Sequence, residues 1–312
     1  MTKLELPKNL KLDLKKYRDL RYGENPHQQS AFYTLDENPG FEQLWGIELS
    51  HNNLGDANHA WRLVSDFEEP TVAIIKHGNP SGITSRDKVE EAFKLSYEAD
   101  SVSAFGGIIA TNRPPTLEMI EAMHGIFFEL LVAPDFSPEV LERLKVRSQK
   151  MRVIKAQKPP QLLEFTRVFN GYLVQTPDAI SESKSKWKVE SGGEPTDELW
   201  ADMEFAWKVV KHVKSNAIVI AKDKIMVGMG TGQPNRVNSV KLALDQAKER
   251  SKGAVLASDA FFPFEDNVLT AADAGVKVIL QPGGSVNDEA VVAAAKKRNM
   301  TMVFTGVRHF KH

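Results

Sequence analysis

The sequence contains no cysteine, which excludes disulfide bonds, thiolate nucleophiles and cysteine-ligated zinc. It has no excess of either charge, because 40 basic residues stand against 41 acidic ones, so no overall positive field would attract nucleic acid. It also lacks an apolar run of membrane-spanning length, and its charged start has no signal-peptide core. We therefore expect a cytoplasmic protein that binds neither nucleic acid nor a membrane.

The 312 residues have the length and the pattern of a two-domain α/β protein. Short β-branched runs alternate with segments of helical spacing, as in α/β layers. A polar stretch at residues 181–198 is predicted to be a linker, and a helix is predicted to open at Thr196. We therefore expect two units, residues 1–195 and residues 196–312.

Lys76 and His77 stand at the end of a β-branched run over residues 72–75. The run predicts a buried strand, and the glycines and proline in residues 78–82 predict a loop after it. Ligands bind beyond the carboxyl ends of strands in open α/β sheets, so a cation beside an imidazole there indicates a site. The alternative is a solvated lysine and a loop histidine after an ordinary strand.

Three further segments are each compatible with ligand binding or with a purely structural role. The glycine-rich residues 228–233 match neither a dinucleotide fingerprint nor a P-loop, and they form either a ligand-contacting loop ahead of Arg236 or a tight connection. Three phenylalanines in residues 258–266 either pack in the core or stack on a flat ligand. Asn216 either caps a turn or donates to a substrate oxygen. The zinc-deaminase pattern is missing, so metal-activated hydrolysis is not expected.

Taken together, these motifs resemble one family, the AICAR transformylase (phosphoribosylaminoimidazolecarboxamide formyltransferase) portion of the bifunctional purine-biosynthesis proteins. The matching segments follow the family's order at residues 20–28, 76–82, 103–110, 215–216, 228–239, 258–268, 283–288 and 302–312. The resemblance implies an α/β fold of two cytidine-deaminase-like α/β/α units in one chain. We expect these 312 residues to lack the family's separate IMP cyclohydrolase domain.

The resemblance implies formyl transfer from 10-formyltetrahydrofolate to the 5-amino group of AICAR, which gives formyl-AICAR in purine (IMP) biosynthesis. The amine is a poor nucleophile because its lone pair is delocalised into the imidazole and carboxamide. A base must remove its proton, and a cation should stabilise the oxyanion or protonate the departing folate nitrogen. His77 suits the first role, since an imidazole is largely neutral near pH 7, and Lys76 suits the second.

The family's other site residues carry over onto matching positions of this sequence. Asn216 and His312 are expected to join Lys76 and His77 in catalysis. The residues expected to hold AICAR and its phosphate are Arg21, Tyr22, Gly106, Glu129, Phe261 and Arg308. The residues expected to hold the folate cosubstrate are Arg236, Pro263, Phe264 and Asp266. No metal ligands are expected, although the family suggests a monovalent cation.

The resemblance also implies a homodimer with active sites at the subunit interface, and it suggests a separate IMP cyclohydrolase as a partner. In the chain end, residues 308–312, Phe310 is predicted to hold the tail against the protein. Two alternatives remain open from the sequence. The chain is a non-catalytic AICAR-binding or regulatory protein, or it is an obligate subunit of a cyclohydrolase complex.

Overall fold

A computed structural model describes residues 6–179 and 184–312. The elements up to residue 156 are β1 (Lys15–Leu20), β2 (Ser30–Thr34), β3 (Phe41–Trp45), α1 (His51–Ser65), β4 (Thr71–Lys76), β5 (Asn79–Ser85), α2 (Val89–Ala99), α3 (Ser101–Ala104), β6 (Ile108–Thr111), α4 (Leu117–Ala122), β7 (Leu130–Ala133), α5 (Pro138–Arg147) and β8 (Arg152–Ala156). The later elements are β9 (Glu164–Val168), β10 (Gly171–Gln175), β11 (Lys188–Ser191), α6 (Asp197–Val210), β12 (Ile218–Lys222), β13 (Ile225–Gly230), α7 (Arg236–Ala247), β14 (Val255–Ser258), α8 (Asp266–Asp273), β15 (Val278–Gln281), α9 (Asp288–Lys297) and β16 (Thr301–Phe304).

Twelve strands form one mixed sheet in the order β11-β16-β15-β14-β12-β13-β5-β4-β6-β7-β8-β3. Each half of this order has a central antiparallel hairpin, then three mutually parallel strands, then an antiparallel edge strand. The hairpin strands β5 and β13 join the halves, with Thr84 opposite Ile225. The mixed sheet with its helices confirms the predicted α/β class.

Helices cover both faces of the sheet, but the two faces differ. On one face, α1 and α6 pack over both halves in a single hydrophobic cluster, where the rings of Phe67 and Phe205 lie 5.5 Å apart. The opposite face has two separate clusters, one under α2, α4 and α5 and one under α7, α8 and α9. Within the described ranges, none of the helices is long and apolar enough to cross a lipid bilayer.

The loop predicted over residues 78–82 is wrong beyond Gly78, because residues 79–82 belong to strand β5. A register shift in the pairing of β4 with β5 places Pro80 opposite Ile75, and such a bulge tolerates a residue that cannot donate a backbone hydrogen bond. Gly82 lies directly under α2, where an added Cβ would come within 1.9 Å of the Ser96 carbonyl oxygen. The glycine therefore serves close packing of a helix on the strand.

The linker predicted over residues 181–198 is wrong at residues 188–191, which form strand β11, and residues 181–183 of it lie outside the described part. Strand β11 pairs with β16, so it belongs to the second half of the sheet. Helix α6 follows with Thr196 as its N-cap, as the sequence predicts, and the Thr196 side chain accepts from the Leu199 N–H. The charged β1–β2 hairpin was not predicted, because its solvent-facing strands lack apolar alternation.

Buried ionisable groups join α1 to the end of α6. His212 Nε2 lies 2.8 Å from Asp66 Oδ2, and the His59 and His212 rings are 6.3 Å apart. Burial lowers the pKa of His212 to about 4, although Asp66 acts in the opposite direction. Burial likewise lowers the pKa of His59 to about 3. Both imidazoles are therefore neutral in the folded protein near pH 7.

Acidification should destabilise the protein well above the pH at which carboxylates titrate. Because the pKa values of His59 and His212 are lower in the folded state, the unfolded chain binds more protons below about pH 6.5. The two neutral histidines therefore contribute fully to the free energy of unfolding above about pH 6.5, and this contribution is lost as the pH falls below that value. We expect the free energy of unfolding in urea to drop by about 2–4 kcal/mol between pH 7 and pH 5. His59→Gln should flatten this dependence, and an unchanged slope in that variant would contradict the assignment.

Candidate active site

The candidate residues lie along one edge of the large sheet. Strand β4 runs antiparallel to β6, so its carboxyl end at Lys76 lies beside the amino ends of β6, β7 and β8. Lys76 therefore stands at the carboxyl end of its strand, as predicted, but beside the amino ends of the three parallel strands of this half. The alternating directions of β5, β13 and β12 bring the carboxyl end of β14 to the same edge.

His77 and Gly78 form the two-residue turn between β4 and β5, with φ values of 52° and 72°. Tight hairpin turns need positive φ at both positions, which is uncommon for a residue with a side chain. Asp56 on α1 holds this turn, since its two carboxylate oxygens accept from the His77 N–H at 3.1 Å and the Gly78 N–H at 2.8 Å. Burial raises the pKa of Asp56, while the two N–H groups act the other way. The exposed His77 side chain thus projects from a clamped backbone.

Lys76 and Gly106 are brought together beside this turn. The half-buried Lys76 ammonium donates to the Phe105 carbonyl at 2.8 Å. Gly106 follows at φ 73°, and its N–H donates to the Phe127 carbonyl at 2.8 Å. The left-handed backbone favours glycine there, so the connection can turn tightly next to the ammonium.

Glu129 lies just ahead of β7 at the same edge. Its carboxylate accepts from Asn53 Nδ2 at 2.8 Å and lies 3.5 Å from the Arg152 guanidinium. Arg152 is buried, and its Nε donates to the Glu48 carbonyl at 2.9 Å. Burial lowers the pKa of Arg152, and Glu129 opposes that shift. The Glu129 carboxylate is therefore paired but remains partly open to solvent.

Arg21 and Tyr22 complete this group. The Arg21 guanidinium lies 5.5 Å from the centroid of the Tyr22 ring. Backbone hydrogen bonds tie the segment to the start of α1, from the Arg21 N–H to the Leu49 carbonyl and from the His51 N–H to the Tyr22 carbonyl. We call the following residues the hairpin cluster: Arg21, Tyr22, Lys76, His77, Gly106 and Glu129.

A second group surrounds Arg236, the first residue of α7, which is 6% exposed. Its guanidinium forms an ion pair with the fully buried Asp259 and donates to Ser258 Oγ at 2.9 Å. It also donates to Asn216 Oδ1 at 2.6 Å, and Asn216 Nδ2 donates to the Gln233 carbonyl at 2.8 Å. Arg236 thus orients Asn216 and balances a buried carboxylate, so most of its donors are taken by protein groups.

A cavity of about 340 Å³ opens beside Arg236. Its lining includes Asn216, Phe261, Pro263, Phe264, Asp266 and Phe310. Phe264 is 63% exposed and Phe261 is 37% exposed, whereas Phe262 is fully buried. One phenylalanine therefore packs in the core, while two face the cavity, where stacking on a flat ligand stays a prediction.

The end of the chain lies against this cavity. The Arg308 guanidinium is 4.3 Å from the centroid of the Phe310 ring, and the His312 ring is 5.8 Å from it. These contacts bring the predicted tail residues to the second group. We call the following residues the arginine cluster: Asn216, Arg236, Phe261, Pro263, Phe264, Asp266, Arg308 and His312.

The prediction that Phe310 holds the tail is wrong, because this ring is 40% exposed. His309 is 1% exposed, and its Nδ1 lies 2.6 Å from Asp178 Oδ2. The Lys311 carbonyl accepts from the Ser215 N–H at 2.9 Å, and the Lys311 N–H donates to the Ser215 hydroxyl at 3.1 Å. Polar contacts by these residues therefore fix the tail.

The glycine-rich residues 228–233 are explained mostly by packing. Gly228 and Gly230 lie in β13, where an added Cβ would come within 2.1 Å of the Ala243 carbonyl oxygen and 1.9 Å of the Ser239 carbonyl oxygen. These glycines let α7 lie directly on the strand, as Gly82 does for α2. This favours the tight-connection alternative over a ligand-contacting loop.

Three residues at the two clusters were missed from the sequence, namely Asp56, Arg152 and Asp259. Each acts on a group distant in sequence, so spacing along the chain carries no signal for it. In residues 6–179 and 184–312, no group of three or more histidine, aspartate or glutamate side chains is arranged to hold a metal ion.

Comparison with known proteins gives a family for this arrangement. The sequence model of the AICARFT/IMPCHase bienzyme family matches residues 1–246. The chain is similar to the bifunctional purine biosynthesis proteins PurH of Streptococcus thermophilus and Bacillus cereus, at 47% identity over 317 residues in each case. These alignments cover 98% and 99% of this chain and 62% of each relative, so the chain spans about 62% of the relatives' length. A solved RibD structure from Acinetobacter baumannii overlaps 34% of each chain at 20% identity, with a TM-score of 0.25 that is too low to inform the fold.

Proposed function

The chain belongs to the AICARFT/IMPCHase bienzyme family, and from this membership we propose that it transfers a formyl group from 10-formyltetrahydrofolate to the 5-amino group of AICAR. One observation carries the proposal beyond the family. Lys76 ends strand β4, and His77 begins the turn that follows, whose backbone Asp56 clamps from outside the hairpin. Closing the formylated product to IMP is then the task of an IMP cyclohydrolase, on this polypeptide or on another.

In this mechanism, His77 removes the proton from the amine as it attacks the formyl carbon. A neutral imidazole near pH 7 can accept that proton, and the exposed position of His77 lets a substrate reach it. The Lys76 ammonium keeps donor capacity beyond its bond to the Phe105 carbonyl. It can therefore stabilise the oxyanion of the tetrahedral intermediate or protonate the departing folate nitrogen.

The remaining residues of the two clusters would bind the substrates. Arg21, Tyr22, Gly106 and Glu129 of the hairpin cluster would hold AICAR, together with Asn216, Phe261 and Arg308. The exposed ring of Phe264, with Pro263 and Asp266, offers a flat surface and a carboxylate to the folate. Arg236 would act on the folate site mainly through Asn216, because its guanidinium already serves buried partners. His312 would close the site from the chain end.

We propose that each half of the sheet is a cytidine-deaminase-like unit. The support is the repeated order of a central hairpin, three parallel strands and an edge strand. The division into residues 1–195 and 196–312 stays a prediction, and the pairing of β11 with β16 favours a border ahead of Lys188. No side-chain group in the described ranges marks a place for the suggested monovalent cation, and we assign it no step.

We further propose that the active site forms between two copies of the chain. Strands β4 and β14 are four strand spacings apart, roughly 19 Å, which is a long way for one nucleotide to bridge. The β9–β10 hairpin also leaves Phe169, Tyr172 and Leu173 exposed by 99%, 63% and 63%. A lone two-stranded hairpin with such apolar exposure is marginally stable and is typical of an interface.

A turnover assay of the purified chain with AICAR and 10-formyltetrahydrofolate tests the proposed function. We expect formyl-AICAR and tetrahydrofolate to appear in equal amounts. Binding of AICAR without turnover would favour the alternative of a non-catalytic binding protein. Turnover that requires an added cyclohydrolase would favour an obligate subunit.

Two inactive variants should complement each other if the site is shared. His77→Ala removes the proposed base from the hairpin cluster, and Arg308→Ala removes an exposed cation from the arginine cluster. In randomly mixed dimers, half of the molecules are heterodimers and each has one intact site, so about a quarter of wild-type activity should return. Heterodimers purified with two affinity tags and found inactive would place both residues in one subunit's site.

A further inference from the structure

The two halves of the sheet contain equivalent turns. Asp56 is the sixth residue of α1, and Asp202 is the sixth residue of α6. Like Asp56, Asp202 accepts from both N–H groups of a two-residue turn, from Asp223 at 2.9 Å and from Lys224 at 2.6 Å. These two residues also have positive φ, 54° and 51°. Burial raises the pKa of both aspartates, and the N–H groups act against it in both halves.

The strand-end lysine is repeated as well. Lys76 donates to the Phe105 carbonyl at 2.8 Å, and Lys222 donates to the Lys252 carbonyl at 2.9 Å. Each acceptor stands three residues before the next strand of its half. Each half of the sheet therefore has a strand-end lysine followed by a two-residue turn. In the first half the turn contains His77 and belongs to the hairpin cluster.

The two turns differ in how firmly they are held. In the second turn, Arg86 donates to the Asp223 carbonyl at 2.6 Å, and Lys224 pairs with Glu69 at 2.7 Å. The first turn contains a glycine, whose backbone is the most flexible of any residue. Apart from Asp56, its side-chain contact comes from within the hairpin, where Asn79 donates to the His77 carbonyl at 3.2 Å. The first turn therefore depends more strongly on its aspartate.

We propose that Asp56 is a positioning residue for formyl transfer, which sets the direction of the His77 imidazole by fixing the backbone of the turn. The inference rests on the proposed function of His77 as the base. A carboxylate can accept from two N–H groups at once, one on each oxygen. An asparagine can accept through one oxygen only, and its amide would point a donor at the second N–H. Asp56→Asn therefore frees the turn without removing the base.

The second half of the sheet supplies the control. Asp202→Asn breaks the same kind of clamp at the opposite edge, and Asp202 is the more buried of the two aspartates. We expect kcat to fall about 10- to 100-fold in Asp56→Asn, with the KM for AICAR within about threefold of wild type. In Asp202→Asn, kcat should stay within about twofold of wild type. Its melting temperature should fall at least as far as that of Asp56→Asn. If Asp56→Asn does not fold, Asp56→Ala removes the acceptors without presenting a donor.

A second readout separates this inference from the proposed reaction. The ring C–H signals of His77 are followed by NMR in histidine-labelled protein and assigned with His77→Ala. We expect them to shift and broaden in Asp56→Asn and to stay in place in Asp202→Asn. If wild-type protein has no turnover, the proposed function fails and the NMR result alone decides the positioning role. Unmoved His77 signals, or equal losses of kcat in the two variants, would overturn it.

Discussion

Replacing His77 with asparagine should lower kcat by about 10²- to 10⁴-fold, which is the usual size of a general-base contribution. The amine of AICAR cannot attack without losing its proton, and the proposal gives no other residue that task. Affinity for AICAR should change far less, because Arg21, Tyr22 and Glu129 remain in place. Single-turnover kinetics with both substrates saturating isolates the chemical step from product release.

Asparagine is the better first substitution because His77 has a φ of 52°, a conformation that asparagine tolerates more readily than alanine. His77→Ala then serves as a second variant, and both should lose activity while keeping the melting temperature within a few degrees of wild type. As a matched control, His124→Asn alters an exposed histidine that follows α4 and belongs to neither cluster, and it should leave kcat unchanged. Turnover near wild type in both His77 variants would remove this residue from the mechanism.

Replacing Arg236 with methionine should destabilise the protein by about 3–5 kcal/mol, because the substitution leaves the fully buried Asp259 carboxylate without its charged partner. The melting temperature should fall by about 6–20 °C, to be measured by calorimetry. This large effect distinguishes a buried structural arginine from one that only contacts folate at the surface. A variant with wild-type stability and weakened folate binding would support the purely ligand-binding role.

Two comparisons sharpen that experiment. Lys252→Ala breaks an ion pair with Glu249 in which both side chains are mostly exposed, and it should cost less than about 1 kcal/mol. The double variant Arg236→Met/Asp259→Leu removes both buried charges and should recover much of the lost stability. If the double variant is less stable than Arg236→Met alone, the unpaired carboxylate is not the cause of the loss.

The sequence best predicts the elements that are determined by short-range residue patterns. Strand β4 contains the run predicted over residues 72–75, and α6 has the predicted N-cap at Thr196. Strand β5 was missed because Pro80 and Gly82 are typical of loops, and only the bulge and the close approach of α2 make them suitable for a strand. The direction of β4 relative to its neighbours depends on long-range pairing, which a single sequence does not reveal.

The candidate site shows the same limit. The resemblance names the members of both clusters, and the structure places them along one edge, but no motif indicates which residues hold them. Asp56 lies 21 residues from the turn that it clamps, and Asp259 lies 23 residues from Arg236. A signal for Asp56 exists only in retrospect, in the matching position of Asp202 on α6. The two halves of the chain share this position although no repeat is visible in the sequence.

The face of the sheet that α1 and α6 cover together affects the order in which the protein can fold during synthesis. Helices α2, α4 and α5 bury their apolar side chains in a cluster whose residues all come from the first half, so this cluster can assemble on the ribosome as soon as β8 has emerged. Helix α1 completes its packing only against α6, which is synthesised much later. Because α1 carries the carboxylate that holds the His77 turn, the helix that supports this turn gains the contacts at its far end, from Asp66 to His212 and from Phe67 to Phe205, only after the second half has been made.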